Sequence, residues 1–165
     1  MAVKKIQKGF ALLVSVIFMS VMLTLGLALG SLGYKQQTLA SSAVESQYAF
    51  YAADAAMECA LYADQQQNVF NYASHSMTVP PNLITCDNTP ATQLNYSYDT
   101  NQLYVAERLS LDSGMRCADV TIYKFSVPQN NITTYLFSQG YDVSCSTVTA
   151  PNGARFVSRG VSSHY

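Results

Sequence analysis

The sequence predicts an α+β protein: a long N-terminal α-helix, membrane-spanning in its first half, packed on a four- to five-stranded antiparallel sheet. Three features carry that expectation. From Phe10 to Leu32, 23 residues run without a charge, and 17 of them are apolar. No proline occurs between Met1 and Val79, so nothing in the first half of the chain breaks a helix. Beyond Asn68 the texture changes to short β-branched and aromatic runs separated by turn residues, the pattern of consecutive antiparallel strands. With 165 residues the chain has room for one domain and an appendage, which excludes a multidomain enzyme. Only 12% of residues are charged, against roughly 25% in an ordinary soluble domain.

Residues 1–9 form a basic leader, with Lys4, Lys5 and Lys8 and no acid. Lys35 is the single cation close beyond the apolar run, so the charge bias keeps the N-terminus in the cytoplasm and exports the chain beyond Gly33. Residues 10–32 span about 35 Å as a helix, enough to cross a hydrocarbon core of roughly 30 Å. Gly26 and Gly30 form a small-xxx-small pattern that permits close helix approach. In residues 33–67 the helix continues, with Leu39, Ala43, Phe50, Met57 and Leu61 at helical spacing, a face expected to pack on the head. Residues 68–165 make up the head. It opens with an irregular loop over 68–92, rich in Pro, Asn, Ser and Thr. Strands are expected at Leu94–Tyr98, Leu103–Leu109, Cys117–Val127, Ile132–Ser146 and Arg155–Ser158. Turns are expected at Asp99-Thr100-Asn101, Asp112-Ser113-Gly114, Pro128–Asn131 and Pro151-Asn152-Gly153. Tyr123, Phe125, Tyr135 and Phe137 share one strand parity, and that bulky face is expected to lie against the helix.

Cys59, Cys86, Cys117 and Cys145 are too widely spaced for a paired CxxC metal site. An even count in an exported domain reads as two disulfides, for which three connectivities exist. A hairpin turning near Asn130 and Asn131 brings Cys117 and Cys145 roughly opposite each other, and Cys59–Cys86 then ties the helix to its following loop.

Signs of catalytic chemistry are few. GxGxxG, P-loop, HExxH and GxSxG motifs are absent. His75 sits in a Ser/Asn loop and His164 is penultimate, neither placed to serve a nucleophile, so no enzyme, cofactor or metal is expected. From Gly33 onward six Lys/Arg stand against ten Asp/Glu, a net charge of −4 that argues against non-specific nucleic-acid binding. The 12 tyrosines are the compositional excess, suited to half-buried strand positions or to aromatic contact surface.

The stretch Gly9-Phe10-Ala11-Leu12-Leu13, the apolar run and Gln47-Tyr48-Ala49-Phe50-Tyr51-Ala52-Ala53-Asp54-Ala55-Ala56-Met57-Glu58 resemble the N-terminal region of type IV pilin-like proteins, specifically PilX-type pilus assembly proteins. The likeness covers residues 4–64. It implies a pilin fold, cleavage after Gly9 by prepilin peptidase, methylation of Phe10, and polymerisation with other pilin subunits on an inner-membrane assembly platform. Phe10, Leu13, Val14, Gly26 and Gly30 would then be filament contacts. The subunit would sit in the cytoplasmic membrane before assembly and on an extracellular pilus afterwards. Most pilins carry a glutamate four residues after the cleaved phenylalanine; here that position is Val14. The PilX-type and tip pseudopilin families also lack it, which favours a minor or tip subunit. A major pilin, a secretion-system pseudopilin, a single-pass surface adhesin that keeps its leader, and a secreted binding domain cut near Ala28-Leu29-Gly30 are the alternatives.

Overall fold

The computed structural model describes residues 7–71, 82–127 and 131–165. The first six residues of the leader, His75 with Pro80 and Pro81, and most of the Pro128–Asn131 turn fall outside them. The chain divides into two compact units, Met1–Ser42 and Ala43–Tyr165, and one helix, α1 (Gln7–Gln65), contributes to both.

Within the first unit α1 presents its apolar residues in every direction. Phe10 is 73% exposed and Leu29 69%, and the most apolar 18-residue window has a mean hydropathy of 2.5. The helix is long and apolar enough to cross a membrane. Its four hydroxyls in Phe10–Leu32 ask nothing of water: Ser15, Ser20, Thr24 and Ser31 donate to the carbonyls of Leu12, Ile17, Val21 and Ala28 at 2.8–2.9 Å. Satisfying polar groups inside the helix is what a hydrocarbon environment requires.

In the second unit the rest of α1 packs on a five-stranded antiparallel sheet, the α+β arrangement expected. The sheet is a meander in sequence order, β3 (Thr92–Asp99), β4 (Gln102–Leu111), β5 (Arg116–Val127), β6 (Asn131–Tyr141) and β7 (Ser158–His164). Two short strands, β1 (Thr85–Cys86) and β2 (Thr89–Pro90), form a separate hairpin inside the stretch expected to be irregular, turning on Asp87 and Asn88 at positive φ. A five-residue helix, α2 (Cys145–Thr149), takes the place expected for the end of the fourth strand, and the last strand starts at Ser158 rather than Arg155.

The helix docks through small side chains. Ala49, Ala52, Ala53, Ala56, Ala60 and Ala63 are buried at three- and four-residue steps. The expected larger face is turned out: Leu39 is 68% and Phe50 46% exposed, and of that series Met57 alone is buried. Gly140 on β6 explains the choice. A methyl group there would run into the Ala49 carbonyl and the Ala53 nitrogen, so helix and sheet meet backbone to backbone. Such close approach leaves space beside it for aliphatic side chains, and Leu103, Val105, Leu109, Val120, Ile122 and Leu136 fill it with Phe70 and Ile84.

The same geometry reverses the expected facing of the strands. Val120, Ile122 and Lys124 point to the helix, while Tyr123, Phe125, Tyr135 and Phe137 lie on the opposite face and remain partly exposed. The bulky aromatic parity is therefore the outer one.

Candidate functional site

Phe10, Leu13 and Val14 lie at i, i+3 and i+4 of α1 and so share a face; they are 73%, 56% and 48% exposed. That face continues into a shallow apolar groove of about 220 Å³ lined by Val14, Ile17, Phe18 and Val21. Gly26 and Gly30, one turn apart, have open space where a side chain would stand. The first unit thus offers a neighbouring helix both a groove and a place for close backbone contact. Gly9 lies within the first turns of α1. Ser15, beside Val14, spends its proton on Leu12 and keeps oxygen lone pairs for an incoming donor.

The cysteines pair as Cys59–Cys86 and Cys117–Cys145, with Cα–Cα distances of 6.2 and 4.8 Å. The first bridge fastens α1 to the β1–β2 hairpin. The second fastens β5 to α2. Cys117 stands opposite Tyr141 in the ladder rather than opposite Cys145, and the chain reaches back through α2 to close the bond.

Other polar groups reinforce the head where spacing gave no sign of it. Asp64 on α1 is buried, forms an ion pair with Lys124 of β5 at 2.5 Å and accepts the Tyr165 hydroxyl proton at 2.5 Å. Burial, with the Asp64 carboxylate beside it, pushes the Tyr165 phenol well above its ordinary range. Arg108 donates from Nε and Nη2 to the two carboxylate oxygens of Asp119 at 2.6 and 2.7 Å, and from Nη1 to Thr149 of α2 at 2.8 Å. Hydrogen bonding to Asp119 raises the Arg108 guanidinium further above neutrality. Tyr141 donates to the same Asp119 carboxylate at 3.2 Å.

Glu107 is fully buried on the helix side of β4. One oxygen accepts the Ile84 N–H at 3.2 Å and the other has no hydrogen-bond partner among the described residues. Desolvation pushes its carboxyl up to about 7, with the Ile84 bond opposing part of the rise.

Between α1, the β1–β2 hairpin and the β4–β5 turn lies a cavity of about 670 Å³, bordered by Tyr48, Tyr51, Ala55, Asp87, Asp112 and Arg116. The Arg116 guanidinium stacks 4.5 Å above the Tyr48 ring, both residues lining the cavity. Ser113 N–H donates to Asp87 at 3.2 Å, joining the two turns. Among the described residues no group of three or more His, Cys, Asp or Glu gathers to hold a metal ion. His164 stacks on Tyr135, and the four cysteines are consumed in disulfides.

No known protein family, curated protein or solved structure matches the chain.

Proposed function

We propose that this chain is a pilin-like structural subunit, minor or tip-located, of a type IV pilus or related filament. It is cut after Gly9, methylated on Phe10 and assembled through its N-terminal helix. The observation that carries the reading is the contrast along α1. Its last turns bury an alanine stripe against a disulfide-bonded head, whereas Phe10–Leu32 exposes apolar residues all round with every hydroxyl satisfied internally. Such a surface is tolerated only in lipid or among other apolar helices. A pilin-like subunit uses both: it waits as a single-pass membrane protein with its N-terminus inside, then moves into a helical filament core. The Gly9-Phe10 junction after a three-lysine leader supports the processing step.

Val14 supports the minor or tip placement. A buried terminal amine without a carboxylate partner is costly, so a subunit lacking the acid is a poor repeating unit but a workable terminal one. The partners in this reading are other pilin subunits, the prepilin peptidase and an inner-membrane assembly platform.

A cysteine at Leu13 tests it, because the native cysteines are already paired. With Leu13→Cys in the chain, alkylated by a thiol-reactive photo-cross-linker that inserts into neighbouring C–H bonds on illumination, cross-linked species containing a pilin-like partner are expected in the filament fraction sheared from cells. They should vanish when the assembly platform is deleted. Cross-linking confined to the membrane fraction, independent of the platform, would leave an anchored ectodomain and remove the filament.

A further inference from the structure

The outer face of the sheet is covered at one end only. There α2 is held down by Cys117–Cys145 and by Arg108, and Phe156 packs edge-on against Tyr141 at 5.8 Å. Past that cover the face is bare and aromatic. Tyr104, Tyr123, Phe125, Tyr135 and His164 form an unbroken chain of rings across four strands, with successive centroids 4.7, 6.1, 6.1 and 5.8 Å apart. Phe137 is 44% exposed and lies over Gly160, where a side-chain carbon would come within 3.0 Å of its ring. The missing side chain on β7 lets that ring lie down on the sheet. Tyr123, Phe125, Thr133 and Tyr135 enclose an open cavity of about 640 Å³.

These rings are not needed to fill the core, which is built on the other face. Their ladder neighbours are small and neutral: Gln102 and Thr133 flank Phe125, and Thr121 and Ser162 flank Phe137. By strand register, the Lys, Arg, Asp and Glu side chains that the five strands place on this face are the mutually bound Arg108 and Asp119, and Asp99 at the rim, which caps Thr100 N–H. Lys124 is on the opposite face, committed to Asp64. A polyanion such as single-stranded nucleic acid would find rings to stack on but, among these strand residues, no uncommitted cation for its phosphates. A peptide could add backbone hydrogen bonds only at the outer edges of β3 and β7, because the strands that carry Tyr104, Tyr123, Phe125 and Tyr135 are paired on both sides.

We propose that this aromatic face is a binding site for neutral carbohydrate. Sugar rings present apolar C–H faces and a rim of hydroxyls. Tyrosine and phenylalanine rings cover the first, while phenol, Thr, Ser and Gln groups exchange hydrogen bonds with the second. The parallel pair Tyr123 and Phe125, 2° apart in plane, with Tyr135 at 76° to Phe125, gives a floor and a wall. The site lies wholly within the second unit and does not depend on filament assembly.

The test uses the full chain in phosphatidylcholine nanodiscs, since glycoside detergents would compete. The probes are arrayed neutral oligosaccharides of glucose, galactose and N-acetylglucosamine, sulfated counterparts, oligothymidylate and a polyproline peptide. Selective retention on neutral oligosaccharides is expected, persisting in Tyr135→Phe and weakening about tenfold in Phe125→Leu and Tyr135→Leu. On the unmodified protein, NMR shifts from a bound oligosaccharide should concentrate on Tyr123, Phe125, Tyr135 and His164, a readout that survives if a leucine variant fails to fold. The proposal is overturned by no retention at millimolar sugar, by preference for oligothymidylate, sulfated sugar or polyproline, by shifts elsewhere, or by folded leucine variants that bind as well as the parent.

Discussion

Glu107 has been taken out of water with one hydrogen bond to offset the loss. Its carboxyl titrates at about 7 in the folded chain against 4.5 as an unperturbed group. Below about 4.5 both folded and unfolded states hold the proton, and the group costs nothing. Between 4.5 and 7 the unfolded state releases it while the folded state keeps it, so stability falls as pH rises. Above 7 the penalty is complete. Glu107→Gln removes the titration and keeps the acceptor for Ile84. It should stabilise the protein by about 2–3 kcal/mol at pH 8 and leave it nearly unchanged at pH 4, as read by denaturant unfolding at both values. An equal effect at the two pH values would contradict this assignment. Gly140 is constrained by space instead. Gly140→Ala drives a methyl into the α1 backbone at Ala49 and Ala53 and should cost about 3 kcal/mol or more, visible as a large drop in Tm, whereas Gly153→Ala, at a site with open space, acts only through its positive φ.

At the scale of elements, α1 is held to the sheet by its alanine stripe, the Cys59–Cys86 bridge and the buried Asp64–Lys124 pair. Asp64→Ala would strand the Lys124 ammonium in the core and deprive Tyr165 of its acceptor, a loss of about 3–5 kcal/mol. Asp64→Leu with Lys124→Met should recover most of it, and a double-mutant cycle by thermal unfolding measures the difference. The helix and the antiparallel meander were legible in the sequence, because apolar length and turn residues are local signals. The even cysteine count pointed to two disulfides and left their connectivity open. The preferred pairing is the one observed, although Cys117 is not opposite Cys145 in the ladder. Which face of each strand turns inward was not legible. Lys124 interrupts the inner parity of β5 with a charge, and its partner Asp64 is 60 positions away. Tyr123 and Phe125 make the outer parity look like the core. Only the close seating of alanines on Gly140 decides the matter, by leaving space for Val120, Ile122 and Leu136 and not for rings. The alanines at 49, 52, 53, 56, 60 and 63 did carry the signal of the buried helix face; the larger residues beside them obscured it. β7 was misplaced because Ser158–His164 has little apolar pattern and is recruited by pairing with β6.

For the whole molecule, the two units answer to different solvents. The head carries its own core, two disulfides and an outer aromatic face, and it is built for exposure. The first unit is a helix long and apolar enough to cross a membrane. The resemblance implies filament contacts at Phe10, Leu13, Val14, Gly26 and Gly30; the structure shows these positions open on the helix surface, as that proposal needs. A pilin-like subunit must be processed between Gly9 and Phe10 before it can assemble. Intact mass of the full chain, co-expressed with and without a prepilin peptidase, measures that directly. Loss of Met1–Gly9 with the gain of one methyl group, only when the peptidase is present, is the predicted result. An unchanged mass with an active peptidase, or cleavage near Gly30, would contradict it.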